Sequence, residues 1–325
     1  MTKRIFLALV LLMAMPTFGF AQQQPQSKPW ATLCNGVLTF SYGPKPIPPS
    51  QVTCTGCGKK IAWSTNYCSS CGAKNPKDFI VYDALGKILP YEGADWYVKP
   101  WYEKRKEIKK VVFNPSFRQV TNITSTESWF QEMSNLTTIT GLEYLNTAKV
   151  TNMAGMFQDC LSLETIDLSH FNTSKVTDMG SMFCGCYSLK SLNLSNINTN
   201  NVTHMRSMFD NCRSLTSLDV SHFNTANVTD MADMFCCCYS LKSLNLSSFN
   251  TSKVERMDGM FYGLTMPTLD ISNFDTRKAL TGGLFRNSKI QTIYVSSNYW
   301  NPNNKDSFGN DSYYLKGCNA QIIKK

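Results

Sequence analysis

The stretch FNTSKVTDMGSMFCGCYSLKSLNLS, residues 171–195, is one unit of a repeat that decides the fold of this chain. Valines recur every 26 residues, at Val150, Val176, Val202, Val228 and Val254. Methionines and Met-Phe pairs repeat in step, and an L-x-x-L-x-L signature follows in each unit. About seven units fill roughly residues 120–297. Because a unit this short cannot bury its apolar face alone, the units must stack into a solenoid with a continuous core.

Each unit is predicted to contain one short helix and one short strand. The helix prediction depends on five apolar positions that fall on one helical face: Val176, Met179, Met182, Phe183 and Cys186. Thr177 is the expected N-cap of this helix. In the strand, Leu192 and Leu194 alternate inward while their neighbours point outward.

The 171–195 pattern closely resembles the BspA-like leucine-rich repeat proteins of bacterial surfaces. Residues 111–157, which include VVFNPSF and GLEYLNTAKVTNMAGMF, resemble the lead-in to that array, and so does GVLTFSYG at 36–43. The resemblance implies a leucine-rich-repeat solenoid, a role in adhesion or surface recognition, and no catalytic residues. The expected fold is therefore an α/β repeat of 26-residue strand-helix coils, and the protein is expected not to be an enzyme.

The domain organisation starts with a predicted signal peptide at residues 1–21. Lys3 and Arg4 precede a short apolar run, and small residues stand at the cleavage position. A linker (22–29), a β-rich N-terminal cap (30–119), the repeats (120–297) and a C-terminal cap (298–325) are expected to follow. No later run is long enough to span a membrane. The protein is therefore predicted to be exported, as a secreted or cell-surface protein associated with the envelope.

Charge is distributed unevenly along the chain. Residues 22–120 carry 14 basic and 6 acidic side chains, whereas residues 121–325 carry 16 basic and 17 acidic side chains. This basic cap is expected either to be a solvated surface or to dock on an acidic envelope surface, such as a polysaccharide or a lipid headgroup layer. Nucleic acid is not an expected partner, because the chain has a signal peptide. A hydrophobic content of 42% excludes wholesale disorder.

Four cysteines form two C-x-x-C pairs that are typical of a structural zinc site. The pairs are Cys54 with Cys57 and Cys68 with Cys71, ten residues apart and each followed by glycine. Four thiolates suit a closed tetrahedral zinc ion, and a zinc ribbon is predicted at about residues 52–75. Two disulfides are the main alternative in an exported protein, and an iron site is another.

The remaining cysteines divide between the repeats and the chain ends. Four share one repeat column, Cys160, Cys186, Cys212 and Cys238, and are expected to be small buried groups. The seven repeat thiols are expected to be mostly free, because parallel Cβ vectors on neighbouring coils are poor geometry for a disulfide. Cys34 and Cys318 lie in the two end regions.

Outward-facing strand positions supply the candidate ligand-binding residues. They form two columns on the predicted sheet: Thr165, Asp167, Ser191, Asn193, Ser217, Asp219, Ser243, Asn245, Asp270 and Tyr294. The columns are either a hydrogen-bonded ladder or a flat polar recognition face. The function predicted from the sequence is an exported binding protein that recognises host or microbial proteins or glycans. The alternatives are a structural envelope protein docked by its basic cap and an exported enzyme.

Overall fold

The computed structural model describes residues 28–34, 36–43, 51–53, 60–62, 79–83, 89–90, 97–98, 101–300 and 317–325. Within these ranges there are fourteen β-strands, three short 3-10 helices and no α-helix. The 3-10 helices are Tyr102–Glu107, Pro115–Gln119 and Leu142–Tyr144. The strands are β1 Lys28–Cys34, β2 Val37–Gly43, β3 Gln51–Thr53, β4 Lys60–Ala62, β5 Phe79–Asp83, β6 Leu89–Pro90, β7 Tyr97–Val98, β8 Lys110–Phe113, β9 Thr138–Thr140, β10 Thr165–Asp167, β11 Ser191–Asn193, β12 Thr268–Ile271, β13 Thr292–Val295 and β14 Gln321–Lys324.

The N-terminal region and the first repeat share one sheet. Its five strands run in the order β5-β1-β2-β8-β9. Strands β1 and β2 form an antiparallel hairpin, whereas β2, β8 and β9 are parallel neighbours. Because β9 lies within the repeats and β2 within the cap, the cap continues the solenoid. The short pairs β3–β4 and β6–β7 are antiparallel and stand outside this sheet.

An aromatic cluster joins the cap to the first coil. The Phe40 ring is stacked on Phe113 at 4.7 Å and on Trp129 at 5.6 Å, with Trp101 edge-on at 5.1 Å. The indole N–H of Trp101 donates a hydrogen bond to the Trp129 carbonyl at 2.8 Å, which satisfies a buried donor. The cluster covers the apolar end of the first coil, as a repeat array requires.

The repeats wind as a β-solenoid of seven turns. One residue from each turn takes part in a continuous series of parallel bridges: Ser125, Asn152, Asp178, His204, Asp230, Arg256 and Leu280. On another face, β10 pairs with β11, and β12 pairs with β13, in parallel and in register. Strand β14 adds to β13 at the C-terminal end. The equivalent positions 217–219 and 243–245 lie in the same columns but are not in strand conformation.

A stack of phenylalanines forms the centre of the core. Phe157, Phe183, Phe209 and Phe235 are fully buried, with neighbouring ring centroids 5.6, 5.7 and 5.8 Å apart. Neighbouring rings are within 6° of parallel. The stack extends to Phe261 and Phe285. Each coil therefore contributes one ring to a column that runs along the solenoid.

The prediction of a helix in each coil is wrong. Residues 176–186 form successive turns in which amide groups alternate between two directions. Met182 N–H bonds within its own coil, to the Met179 carbonyl, whereas Phe183 N–H bonds to Met208 of the next coil. Ser181 and Gly185 have left-handed backbone, with φ of 53° and 72°. Thr177 is not an N-cap, because no helix follows it and its hydroxyl donates to the Thr151 carbonyl of the preceding coil at 3.2 Å.

Coil spacing explains why the helix does not form. Packed α-helices need about 8–10 Å between their axes. The stacked phenylalanine rings show that neighbouring coils are less than 6 Å apart at Phe183. At that distance extended and turn backbone from neighbouring coils can hydrogen bond, whereas a helix in every coil would collide with the next one. Each coil therefore consists of strand and turns and not of the predicted strand and helix. The predicted α/β class is corrected to a β-solenoid.

Candidate functional site

The predicted strand-face residues lie on the surface, in the columns that the sequence indicates. Thr165 is adjacent to Ser191, and Asp167 to Asn193, across the β10–β11 ladder. The Asn193 amide donates a hydrogen bond to Oδ1 of Asp167 at 3.0 Å. All four side chains are exposed, as are Ser217, Asp219, Ser243 and Asn245. The acidic and amide positions thus alternate along one exposed column.

The same Asp and Asn side chains shape the turn that follows each strand. In five successive coils, Oδ1 accepts a hydrogen bond from the backbone N–H two residues later. The pairs are Asp167 with Ser169, Asn193 with Ser195, Asp219 with Ser221, Asn245 with Ser247 and Asp270 with Ser272. Hydrogen bonds from Ser169 and Ser221 lower the pKa of Asp167 and Asp219, so both carboxylates are charged at neutral pH. The column has a structural role besides any binding role.

Lys325 contacts one end of this face. Lys325 Nζ lies 2.7 Å from Asp270 Oδ2 and 3.7 Å from the centre of the Tyr294 ring. Asp270 and Tyr294, both candidate ligand residues, therefore bind a residue of their own chain. The part of the columns that makes no contact with Lys325 runs from Thr165 to Asn245.

A buried threonine ladder was not anticipated from the sequence. The threonine that follows the asparagine of each F/L/I-N-T sequence is 0–3% exposed and contacts the next coil. Thr173 Oγ1 donates to the Asn198 carbonyl at 2.9 Å and accepts from the Asn198 N–H at 2.8 Å. The same pair of bonds joins Thr147 to Asn172, Thr199 to Asn224, Thr225 to Asn250 and Thr251 to Asp275. The invariance of threonine through these coils was the signal available in the sequence.

The predicted column of buried cysteines is confirmed. Cys160, Cys186, Cys212 and Cys238 are fully buried, and burial raises the pKa of each thiol. Each Sγ lies 3.1–3.3 Å from a phenylalanine carbonyl of the preceding coil. All seven repeat thiols are free in the structure. Cys318, also free, lies 3.0 Å from Ser288 at the C-terminal end, far along the array from β1, where Cys34 is located.

A second polar cluster lies on the turn side of the solenoid, and sequence analysis did not identify it. Ligand atoms of Asp210, Cys236 and Cys237 all lie within 4.8 Å of one another, the one such group of metal-ligating residues in the described chain. The Cys236 and Cys237 sulfurs are 3.5 Å apart, and the Tyr239 hydroxyl donates to Cys237 at 3.0 Å. The hydrogen bonds from Cys236 and Tyr239 lower the pKa of Cys237 to about 6. Burial raises the pKa of Asp210.

An aromatic and cationic ridge borders this cluster. Arg213 lies 4.3 Å from the Tyr187 ring centre and 6.0 Å from that of Tyr239. Both tyrosines are exposed, although most large apolar side chains of the repeats are buried. Tyr239 fits against its neighbouring coil because position 263 is glycine, where a Cβ would lie 2.9 Å from the ring.

The predicted zinc ligands Cys54, Cys57, Cys68 and Cys71 lie outside the described residues, as does the predicted signal peptide. The strands β3 and β4 that flank the first cysteine pair are antiparallel. In the basic cap, Lys104 pairs with Glu107 at 2.8 Å and Arg105 with Glu132 at 2.9 Å. Lys106, Lys109 and Lys110 are exposed. No helix in the described residues has the length and apolar character needed to cross a membrane.

Comparison with known proteins gives one family match. The model of the family described as "Mycoplasma protein of unknown function, DUF285" matches residues 101–216 and 185–293. A leucine-rich repeat protein from Bacteroides ovatus, known from its crystal structure, is similar at 14% identity with a TM-score of 0.38. That similarity covers 67% of this chain and 61% of the Bacteroides protein. No curated protein matches the sequence.

Proposed function

This chain belongs to the DUF285 family of BspA-like leucine-rich repeat proteins, and we propose that it is an exported binding protein that recognises an extracellular protein or glycan through its strand face. The proposal assigns no catalytic residue. The observation that carries it is the exposed column of alternating Asp and Asn side chains, each held in a fixed orientation by a turn hydrogen bond.

The column supports binding because it is rigid, polar and periodic. Both hydrogen bonds from Ser221 go to Oδ1 of Asp219, whose side chain is exposed, so the carboxylate can accept further bonds at Oδ2. Serine and threonine hydroxyls stand in the adjacent column, at Thr165, Ser191 and Ser217. Glycan hydroxyls or the basic side chains of a protein are the groups that such carboxylates and hydroxyls bind. Preorganised side chains lose little conformational entropy on binding.

The test replaces charge without disturbing the turn. Asn193 and Asn245 already make the turn hydrogen bond at equivalent positions, so Asp167→Asn with Asp219→Asn should keep the fold. Binding to an array of extracellular proteins and glycans should fall at least tenfold in this variant. The control is Asp178→Asn with Asp230→Asn, which removes the same charge from turn-forming residues in another column. Equal binding by wild type and by the strand-face variant would refute the proposal.

Zinc at the four cysteines of the cap is a further part of the proposal. The spacing of Cys54, Cys57, Cys68 and Cys71 supports it, and so does the antiparallel pairing of β3 with β4 on either side of the first pair. Purified mature protein should contain zinc that is lost in Cys54→Ser with Cys57→Ser. Mass spectrometry that finds two disulfides there would favour the alternative.

Export and envelope docking are the remaining parts of the proposal. The intact mass of the protein from culture supernatant or the envelope fraction should correspond to a chain that starts at Gln22. The exposed lysines at 106, 109 and 110 support docking of the cap on an acidic surface. Replacing all three with glutamine should release the protein from anionic vesicles, and retention would refute docking by these residues. Deletion of the cap is a poor test, because β2 and β8 belong to the sheet that includes the first repeat strand.

A further inference from the structure

We propose that Asp210, Cys236 and Cys237 form a second metal site, in the repeats, that binds one zinc ion through two thiolates and one carboxylate. The site is separate from the strand face and from the four cysteines of the cap. It is independent of the proposed binding function.

The distances suit a tetrahedral ion. Two sulfurs bound to zinc at about 2.3 Å stand about 3.8 Å apart. The Cys236 and Cys237 sulfurs are 3.5 Å apart without any ion, and an Asp210 carboxylate oxygen lies within 4.8 Å of both. A small side-chain adjustment would therefore bring all three ligands to bonding distance. Two thiolates favour zinc over magnesium or calcium, which prefer ligand sets made only of oxygen.

Neighbouring groups hydrogen bond to the proposed ligands and hold them in orientation, as groups around the ligands do in zinc proteins. The Asn211 amide donates to Oδ1 of Asp210 at 2.9 Å. The Tyr239 hydroxyl donates to the Cys237 sulfur at 3.0 Å, and Tyr239 itself is held against Gly263. Hydrogen bonds of this kind fix ligand orientation and raise metal affinity. Three protein ligands leave a fourth position for water or for a group from another molecule.

The backbone at Cys237 is a separate observation that favours a functional role. Cys237 has a φ of 57°, a left-handed conformation that costs free energy for a residue with a Cβ. Equivalent positions hold Gly185 and Asn211 in the two preceding coils and Gly263 in the following coil, residue types that tolerate this conformation. Glu132 in the first coil and Cys237 are the two described residues that depart from Gly, Asn and Asp at this position, and Cys237 places a second sulfur beside Cys236.

The test compares metal binding in reduced, full-length protein and in variants. Cobalt(II), which reports thiolate ligation by an absorption band in the near ultraviolet, and zinc are titrated into wild type and into Cys236→Ser with Cys237→Gly. Glycine suits the left-handed backbone at 237, so this variant should fold. Both proteins keep the four cysteines of the cap, so metal bound there cancels when the stoichiometry of the variant is subtracted from that of wild type. We expect wild type to bind one more equivalent of metal than the variant.

Two further variants make the result decisive. Cys318→Ser changes a buried thiol that contacts Ser288, outside the group of three and without contact to Asp210, and it should bind as much metal as wild type. Asp210→Asn should keep the fold and weaken zinc binding at this site at least tenfold. Equal stoichiometry and equal cobalt spectra for wild type and the double cysteine variant would overturn the proposal. Loss of the same equivalent in Cys318→Ser would also overturn this assignment of ligands.

Discussion

The Thr199 hydroxyl makes two hydrogen bonds with the backbone of a single residue, Asn224, in the next coil. It accepts from the Asn224 N–H at 2.8 Å and donates to the Asn224 carbonyl at 2.9 Å. Thr199 is 2% exposed, so both backbone groups would lack this partner in its absence. The hydroxyl therefore replaces a strand-to-strand backbone pair at a place where the chain turns.

The first prediction concerns this hydroxyl. Thr199→Val keeps the shape of the side chain but removes both bonds, so it should lower the free energy of unfolding by about 2 kcal/mol. Thr199→Ser keeps the hydroxyl and should cost less than about 1 kcal/mol, the value of one buried methyl group. Urea unfolding followed by circular dichroism measures both. Equal losses in the two variants would show that packing, and not hydrogen bonding, explains the ladder.

The second prediction tests the turn conformation that replaces the predicted helix. Ser207 has a φ of 54°. Glycine at this position should stabilise the protein relative to alanine by about 1 kcal/mol, because glycine avoids the left-handed penalty. In a helix the order would be reversed, since alanine is about 1 kcal/mol better than glycine. The two variants are compared by their urea unfolding midpoints. A higher midpoint for Ser207→Gly than for Ser207→Ala indicates the turn, and a lower one would indicate a helix.

The third prediction concerns the phenylalanine stack. Phe209 is fully buried between Phe183 and Phe235, at 5.7 and 5.8 Å. Phe209→Ala should cost about 3–5 kcal/mol, because it leaves a cavity in the centre of the array. Tyr187→Ala, on the exposed ridge, should change the free energy of unfolding far less. Thermal and urea unfolding would show the difference, and similar losses at the two sites would contradict the described core.

The fourth prediction concerns acid. The folded pKa values of Asp167 and Asp219 are lowered by hydrogen bonds from Ser169 and Ser221. The two carboxylates therefore stabilise the folded state fully above about pH 4, the ordinary pKa of Asp in an unfolded chain. This stabilisation is lost as the pH falls through the lowered pKa values of the folded state. Asp167→Asn with Asp219→Asn should lose less stability than wild type between about pH 6 and about pH 3.

Asp159→Asn is the control of opposite sign for the acid experiment. Burial raises the pKa of Asp159, so proton uptake by the folded state stabilises it as the pH falls through that raised value. Without this carboxyl group, the variant should lose more stability than wild type over the same pH interval. Urea unfolding at the two pH values measures both variants, and parallel pH profiles for all three proteins would contradict these assignments.

Repeat length, core membership and column alignment could be predicted from the sequence. Val176, Met179, Met182, Phe183 and Cys186 are all buried, at 0–1% exposure. The outward columns at Asp167 and Asn193 are adjacent, as the repeat implies. These features follow from periodicity alone, because identical units that stack must place equivalent residues side by side whatever backbone they adopt. The strand-face columns were predictable for the same reason.

Tertiary structure alone decided the backbone between the core positions. Apolar residues at offsets of three and four suit a helix, but successive turns can bury the same residues. Hydrogen bonds between coils, such as Phe183 N–H to Met208, select the turns because they form only when the coils lie close together. The local signal was the series of glycine, serine, asparagine and aspartate at left-handed positions, including Gly185 and Asn211. The group of Asp210, Cys236 and Cys237 likewise depended on coil spacing, since residues 26 positions apart meet only when neighbouring coils touch.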